Sequence, residues 1–236
     1  MSGNQSFRSA VQRVFQKPQF LLGIIIVFTL LTISINSGAY FFGLVVVAIL
    51  LWGNEWKWRT INFVRVSNWM KLLMDAFIWT LVSFFIIDII FTPLSELLLD
   101  TNIDLASFDH LRGNLTNYII FLCFMWVVAA FGEEFVYRGL IQNQLSKLFG
   151  GTNYAPYMAL IVTSVLFGLA HRYQGVSGML TTGLMGLIIG WLFIKSPNRL
   201  WLCILVHGLY DTLGLTLIFL DQERLLVDMV KSIFSN

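Results

Sequence analysis

Residues Asn117–Leu145 read NYIIFLCFMWVVAAFGEEFVYRGLIQNQL, with no charge in the first sixteen positions and then Glu133, Glu134 and Arg138 among apolar neighbours. As a helix at about 1.5 Å per residue, this stretch crosses ~30 Å of hydrocarbon and continues beyond it. Further apolar runs lie at about 20–35, 39–52, 71–93, 156–171, 176–194 and 200–220. Together they predict an all-α fold, a polytopic transmembrane helix bundle of about seven spans, within a range of about six to eight. Composition agrees: 57% of the 236 residues are hydrophobic, 12% are charged, and mean hydropathy is +0.76. A soluble domain carries roughly a quarter of its residues charged, so a soluble enzyme and a disordered tail are both excluded. The net charge is +2 and the basic residues are scattered, so no nucleic-acid partner is implied. Cys123 and Cys203 sit in apolar runs without CxxC spacing and read as small buried hydrophobes.

The organisation follows from the same runs. Residues 1–19 read as a cytoplasmic N-terminal tail, 20–220 as one membrane-embedded domain, and 221–236 as a C-terminal tail or interfacial helix. The first two runs are expected to pair as a hairpin through Asn36-Ser37-Gly38. An uncleaved first span is preferred to a signal peptide cut near Ser37-Gly38-Ala39. The long fourth run becomes amphipathic from Arg138 to Lys147 and is expected to leave the membrane as a continuous helix before Gly150-Gly151. Arg8, Arg13 and Lys17, then Lys57, Arg59, Arg65 and Lys71, mark the cytoplasmic side; Glu96, Asp100, Asp104 and Asp109 against Arg112 mark the opposite loop. Gly178, Thr182, Gly186 and Gly190 recur every four residues and predict a face of close helix packing.

Ionisable residues inside spans cost about 2.5–3.5 kcal/mol each to insert, so each needs a partner or a task. Glu134 and Arg138 are four apart, with the acid on the N-terminal side, and are expected to pair within the helix. Glu133 points about 100° away and is left over, which suits a general base. His207 and Asp211 are also four apart and share a helix face, so the carboxylate is expected to orient the imidazole. His171 follows Phe167 by one turn. His110 lies in the acidic loop and reads as surface. Asp75 reads as interfacial, and Asp88 as a deeper residue bonded to a polar group on a neighbouring helix. Depth permits convergence: Glu133 lies about 21 Å from Lys147, His171 about 22 Å from Pro156, and His207 about 12 Å from Arg199.

These three patterns, Glu133-Glu134-xxx-Arg138, Phe167-xxx-His171 and His207-xxx-Asp211, resemble the CPBP intramembrane proteases, the family of CAAX proteases and bacteriocin-processing enzymes that includes the Ras-converting CAAX endopeptidase. The resemblance spans about residues 117–215, with the catalytic helices at about 117–149, 156–171 and 200–220. It implies an intramembrane endopeptidase acting on a peptide or membrane-anchored protein in the lipid bilayer, in a compact prokaryotic form; the basic residues of the N-terminal tail place the N-terminus in the cytoplasm. By carry-over, Glu133 activates water, His171 and His207 hold that water or stabilise the oxyanion, and Asp211 stands where relatives often carry Asn. Glu134, Arg138 and Phe167 support the catalytic residues. If a metal takes part, Glu133, His171 and His207 form a donor set for zinc. Against zinc, HExxH is absent and a ligating glutamate is not free as a base, so no cofactor is favoured.

Two other classes stay open on the residues themselves. A non-catalytic scaffold or bacteriocin-immunity-type protein of the same fold keeps the cluster for structure. A transporter uses buried Glu, His and Asp as a proton relay, but it is expected to show repeats and paired helix breaks, and neither is visible in the sequence.

Overall fold

The structure, a computed structural model, describes residues 2–34, 38–150, 152–196 and 199–234, and no strand occurs among them. The main helices in chain order are α1 Ser2–Phe15, α2 Pro18–Ser34, α3 Gly38–Gly53, α4 Trp69–Leu99, α5 Leu115–Leu148, α6 Ala155–Ala170, α7 Gly175–Lys195, α8 Arg199–Phe219 and α9 Leu225–Phe234. Each of the seven apolar runs has become a helix. By length and apolarity, α4, α5 and α8 each suffice to cross a bilayer, as does α7 with the turn before it, and α1 with α2 passes as one span bent by 75°. The remaining two, α3 and α6, have 16 residues each. At ~1.5 Å per residue they reach only about 24 Å of a ~30 Å core. The bundle is polytopic as expected, with four or five full-length spans and two shorter apolar helices in place of seven equal ones. The expected Asn36-Ser37 turn lies outside the described residues.

The outer surface identifies the solvent. Phe77, Ile120, Val127 and Ile161 are each more than half exposed on apolar helices. A water-facing surface would leave such a belt unsatisfied, so the chain is an integral membrane protein. Cys123, expected to be buried, faces outward on this belt, whereas Cys203 is buried. Aromatic residues cluster at the helix ends next to Lys57, Arg59 and Lys71: Trp58 meets Phe63 at 5.7 Å, Phe63 meets Trp201 at 4.6 Å, and Trp69 meets Trp201 at 5.2 Å. This is the amphipathic belt that marks a membrane interface.

Residues expected as an N-terminal tail form α1, which lies against α3. Phe7 packs on Trp52 at 5.6 Å, the Arg8 guanidinium sits 5.3 Å from the same ring, and Gln12 donates to the Gly53 carbonyl at 2.9 Å. Pro18, which has no N–H to give, starts α2 after the bend. At the other end of the chain, α9 is an amphipathic helix anchored on Glu96. That glutamate, expected among the exposed loop acids, is buried at the end of α4. It accepts two bonds from Arg224, at 2.6 and 2.8 Å, and one from Lys231 at 3.2 Å. The same carboxylate holds the Arg224 guanidinium above its ordinary pKa.

The face predicted on α7 does pack closely. A Cβ on Gly186 would stand 3.2 Å from the Ser164 Cα, and one on Gly190 would stand 2.4 Å from Leu160 Cδ1. Gly168 on α6 extends the contact, since its Cβ would meet the Met179 carbonyl at 2.6 Å. Thr182 belongs to the predicted stripe but looks into the cavity described below.

Candidate active site

Two π-helical stretches, Trp126–Glu133 and Phe135–Gln142, flank Glu134 within α5. The i→i+5 pattern leaves backbone groups for outside partners and is frequent at functional sites. Here Tyr40 on α3 donates its hydroxyl to the Val128 carbonyl at 3.1 Å. Its oxygen comes so close to Gly132 that any side chain there would collide with it. On the other flank the Trp126 ring lies against Gly208, whose added Cβ would meet ring carbons at 2.4 and 2.5 Å, and the indole N–H donates to Thr212 at 3.2 Å. Glycine at 208 therefore sets how near α8 comes to α5, and with it where His207 stands.

The buried polar chain starts at Arg138, which is 1% exposed. Its Nη1 donates to Glu134 Oε1 at 2.9 Å, its Nη2 to the Gly186 carbonyl at 3.2 Å, and its guanidinium carbon lies 4.7 Å from the centre of the Phe167 ring. The expected intrahelical pair is formed, and Phe167 of the second motif is the surface it rests on. The same Glu134 oxygen lies 2.8 Å from His207 Nδ1. Because a carboxylate accepts, Nδ1 carries the proton, and Nε2 points onward to Asp211 Oδ2 at 3.4 Å. Sequence spacing predicts that Asp211 orients this imidazole; the shorter contact comes from Glu134, and Asp211 makes the longer one on the open side.

His171 ends α6 with Nδ1 2.9 Å from the Phe167 carbonyl. A carbonyl only accepts, so Nδ1–H is the donor, and in the neutral ring Nε2 keeps its lone pair. Arg172 turns the other way and donates to the Thr32 carbonyl near the C-terminal end of α2.

Glu133, His171, His207 and Asp211 line one cavity of about 330 Å³. Glu133 makes no hydrogen bond among the described residues, and its Oε2 is buried without a partner, while His171, His207 and Asp211 act on it electrostatically. The helices thus bring together the four residues that spacing singles out as reactive, with Glu134, Arg138 and Phe167 packed beneath. No three His, Cys, Asp or Glu side chains among the described residues converge as a set able to hold a metal ion. His207 is held by Glu134 at Nδ1 and turns Nε2 toward Asp211 at 3.4 Å.

Some members of the site are not legible in the motifs. Asp88, at the centre of the π-helical Phe85–Phe91 in α4, lines the cavity and accepts a 2.8 Å bond from the Tyr210 hydroxyl. The neighbour-helix bond expected for Asp88 is present, and the residue faces the cavity as well. Tyr173 and Gln174, just past His171, also line it. The sequence signal for Asp88 is its depth in an apolar run; nothing in the spacing identifies Tyr210 as its partner.

Residues 115–213, from the start of α5 to most of α8, match the family model described as Rce1-like, type II CAAX prenyl endopeptidase. Over this stretch the chain is similar to the CPBP family of CAAX proteases. The CAAX-protease match covers all three motifs and excludes α1–α4 and α9. No curated protein and no solved structure matches the chain. With the apolar exterior, this is a membrane protein whose residues 115–213 resemble a CAAX endopeptidase.

Proposed function

We propose that the protein is an intramembrane endopeptidase that hydrolyses a peptide bond of a membrane-associated substrate with water activated by Glu133. The observation that carries this reading is the buried Glu133 Oε2, unpartnered at a cavity that also holds two oriented imidazoles. A structural carboxylate in a bundle is paired, as Glu134 is; an unpaired one is an expense that a reaction explains.

In this mechanism Glu133 accepts a proton from a cavity water as the oxygen adds to the substrate carbonyl carbon. His171 Nε2, free because Nδ1 is committed to Phe167, accepts the water's other hydrogen and aims it. His207, an imidazolium protonated on both nitrogens between Glu134 at Nδ1 and Asp211 at Nε2, donates from Nε2 to the developing oxyanion as that hydrogen turns from Asp211 to the substrate. The C–N bond breaks and Glu133 returns its proton to the leaving amine, so atoms and charge balance. An aspartate at 211 holds the imidazole's donor in reserve, and the oxyanion falls to His207. No metal enters these steps.

The test is proteomic. Membranes containing the parent protein or Glu133→Gln are compared for new protein termini. Termini made only by the parent support the protease. A Glu133→Gln protein that retains the biological effect supports the scaffold reading.

A further inference from the structure

The cavity's charges are unevenly matched. Asp211 faces His207, Glu223 is paired with Arg112 at 2.6 Å, and Arg224 is taken up by Glu96. Of the carboxylates lining the cavity, two have no cationic partner among the described residues: Glu133, used above, and Asp88. Asp88 makes one hydrogen bond, from Tyr210 to Oδ2; Oδ1 has no partner and is not sealed by protein. Its position is built. The π-helical turn of α4 centres on it, Tyr210 fixes its rotamer, and next to it Thr92 bonds Thr181 at 3.3 Å on the cavity wall. The lining of the same cavity also includes the apolar Phe121, Phe124, Met125, Leu215 and Ile218. A carboxylate with an open oxygen in an apolar chamber selects a cation or a strong N–H donor, because water there is too scarce to compete.

We propose that Asp88, clamped by Tyr210, is a specificity-determining anchor for a lysine or arginine side chain of the substrate. Tyr210 follows His207 by three residues on α8, an axial step of about 4.5 Å. At ~3.3 Å per residue of extended chain, the anchored side chain stands roughly one or two residues from the bond cut. This assignment rests on the proteolytic reading for its meaning, but its binding test does not.

The probes are ten-residue apolar peptides carrying one lysine at each position in turn, and the same set with acetyl-lysine, added to purified protein in nanodiscs. Binding and cleavage are both measured. For at least one position the parent binds lysine about tenfold more tightly than acetyl-lysine, and in Asp88→Asn that ratio falls to about one. If Asp88→Asn does not fold, Tyr210→Phe is measured in its place and lowers the ratio about threefold or more. A ratio near one at every position in the parent, or a ratio unchanged in the variant, overturns the anchor. Lysine-selective binding without cleavage sinks the protease and keeps the anchor, whereas cleavage without charge selectivity does the reverse.

Discussion

His207 Nδ1 stands 2.8 Å from Glu134 Oε1, the same oxygen that accepts from Arg138 Nη1 at 2.9 Å. One carboxylate atom thus ties the first and third motifs together, 73 residues apart in sequence. The two neighbouring glutamates consequently have opposite structural weights: Glu134 is neutralised and central, and Glu133 is alone.

Glu134→Gln leaves the buried Arg138 guanidinium without its anion and is expected to destabilise the protein by about 3–5 kcal/mol. Glu133→Gln removes a carboxylate that has no hydrogen bond and is expected to leave the unfolding temperature level or raise it. Both abolish cleavage. Thermal unfolding in detergent separates them, and equal losses of stability contradict the assignment.

A second prediction concerns the gap between α5 and α8. Gly208→Ala places a methyl group 2.4 Å from the Trp126 ring, too close without movement of the helices. It is expected to cost about 1–3 kcal/mol and to lower cleavage by displacing His207. Trp126→Leu in the same chain is expected to restore part of the loss. Gly23→Ala, with nothing within 4 Å of the new atom, is the neutral control.

Much of this site is legible in the sequence because its strongest signals are local. Glu134 and Arg138 pair across one helical turn, His207 and Asp211 share a face, and Glu133 remains once Arg138 is assigned. What is not legible is tertiary. No spacing rule says that the nearer carboxylate to His207 is Glu134, since that contact depends on how closely Trp126 and Gly208 let two helices approach. The π-helical turns around Glu134 and Asp88 leave no mark in an apolar run, where every register is equally greasy. Glu96 misleads for a similar reason. Beside Asp100 and Asp104 it reads as one more loop acid, and only the arrival of Arg224 and Lys231 from the far end of the chain makes it a buried anchor.

That anchor gives the third prediction. Glu96 holds two cations of the C-terminal segment and also accepts from the Ile103 backbone N–H at 3.0 Å. Glu96→Gln is expected to release α9, seen as at least tenfold faster amide exchange across residues 225–234, about 1.4 kcal/mol in the local opening equilibrium. Exchange in α7 serves as the internal reference. Unchanged protection in α9 would show that its apolar face alone holds it.

Metal dependence gives the fourth. His207 presents Nε2 to Asp211 and Nδ1 to Glu134, and Glu133 is assigned to water, which leaves His171 Nε2 as the one uncommitted nitrogen of the group. A single imidazole does not hold a catalytic zinc, which takes three protein ligands. Cleavage by purified protein is therefore expected to persist within about twofold after exhaustive treatment with EDTA, then with 1,10-phenanthroline, whereas Glu133→Gln removes it. His171→Ala is expected to lower kcat by about 100-fold while leaving the unfolding temperature within a few degrees, since its ring bonds only a helix-end carbonyl. Loss of activity on chelation and its return with added zinc would overturn the metal-free mechanism and reassign Glu133 from base to ligand.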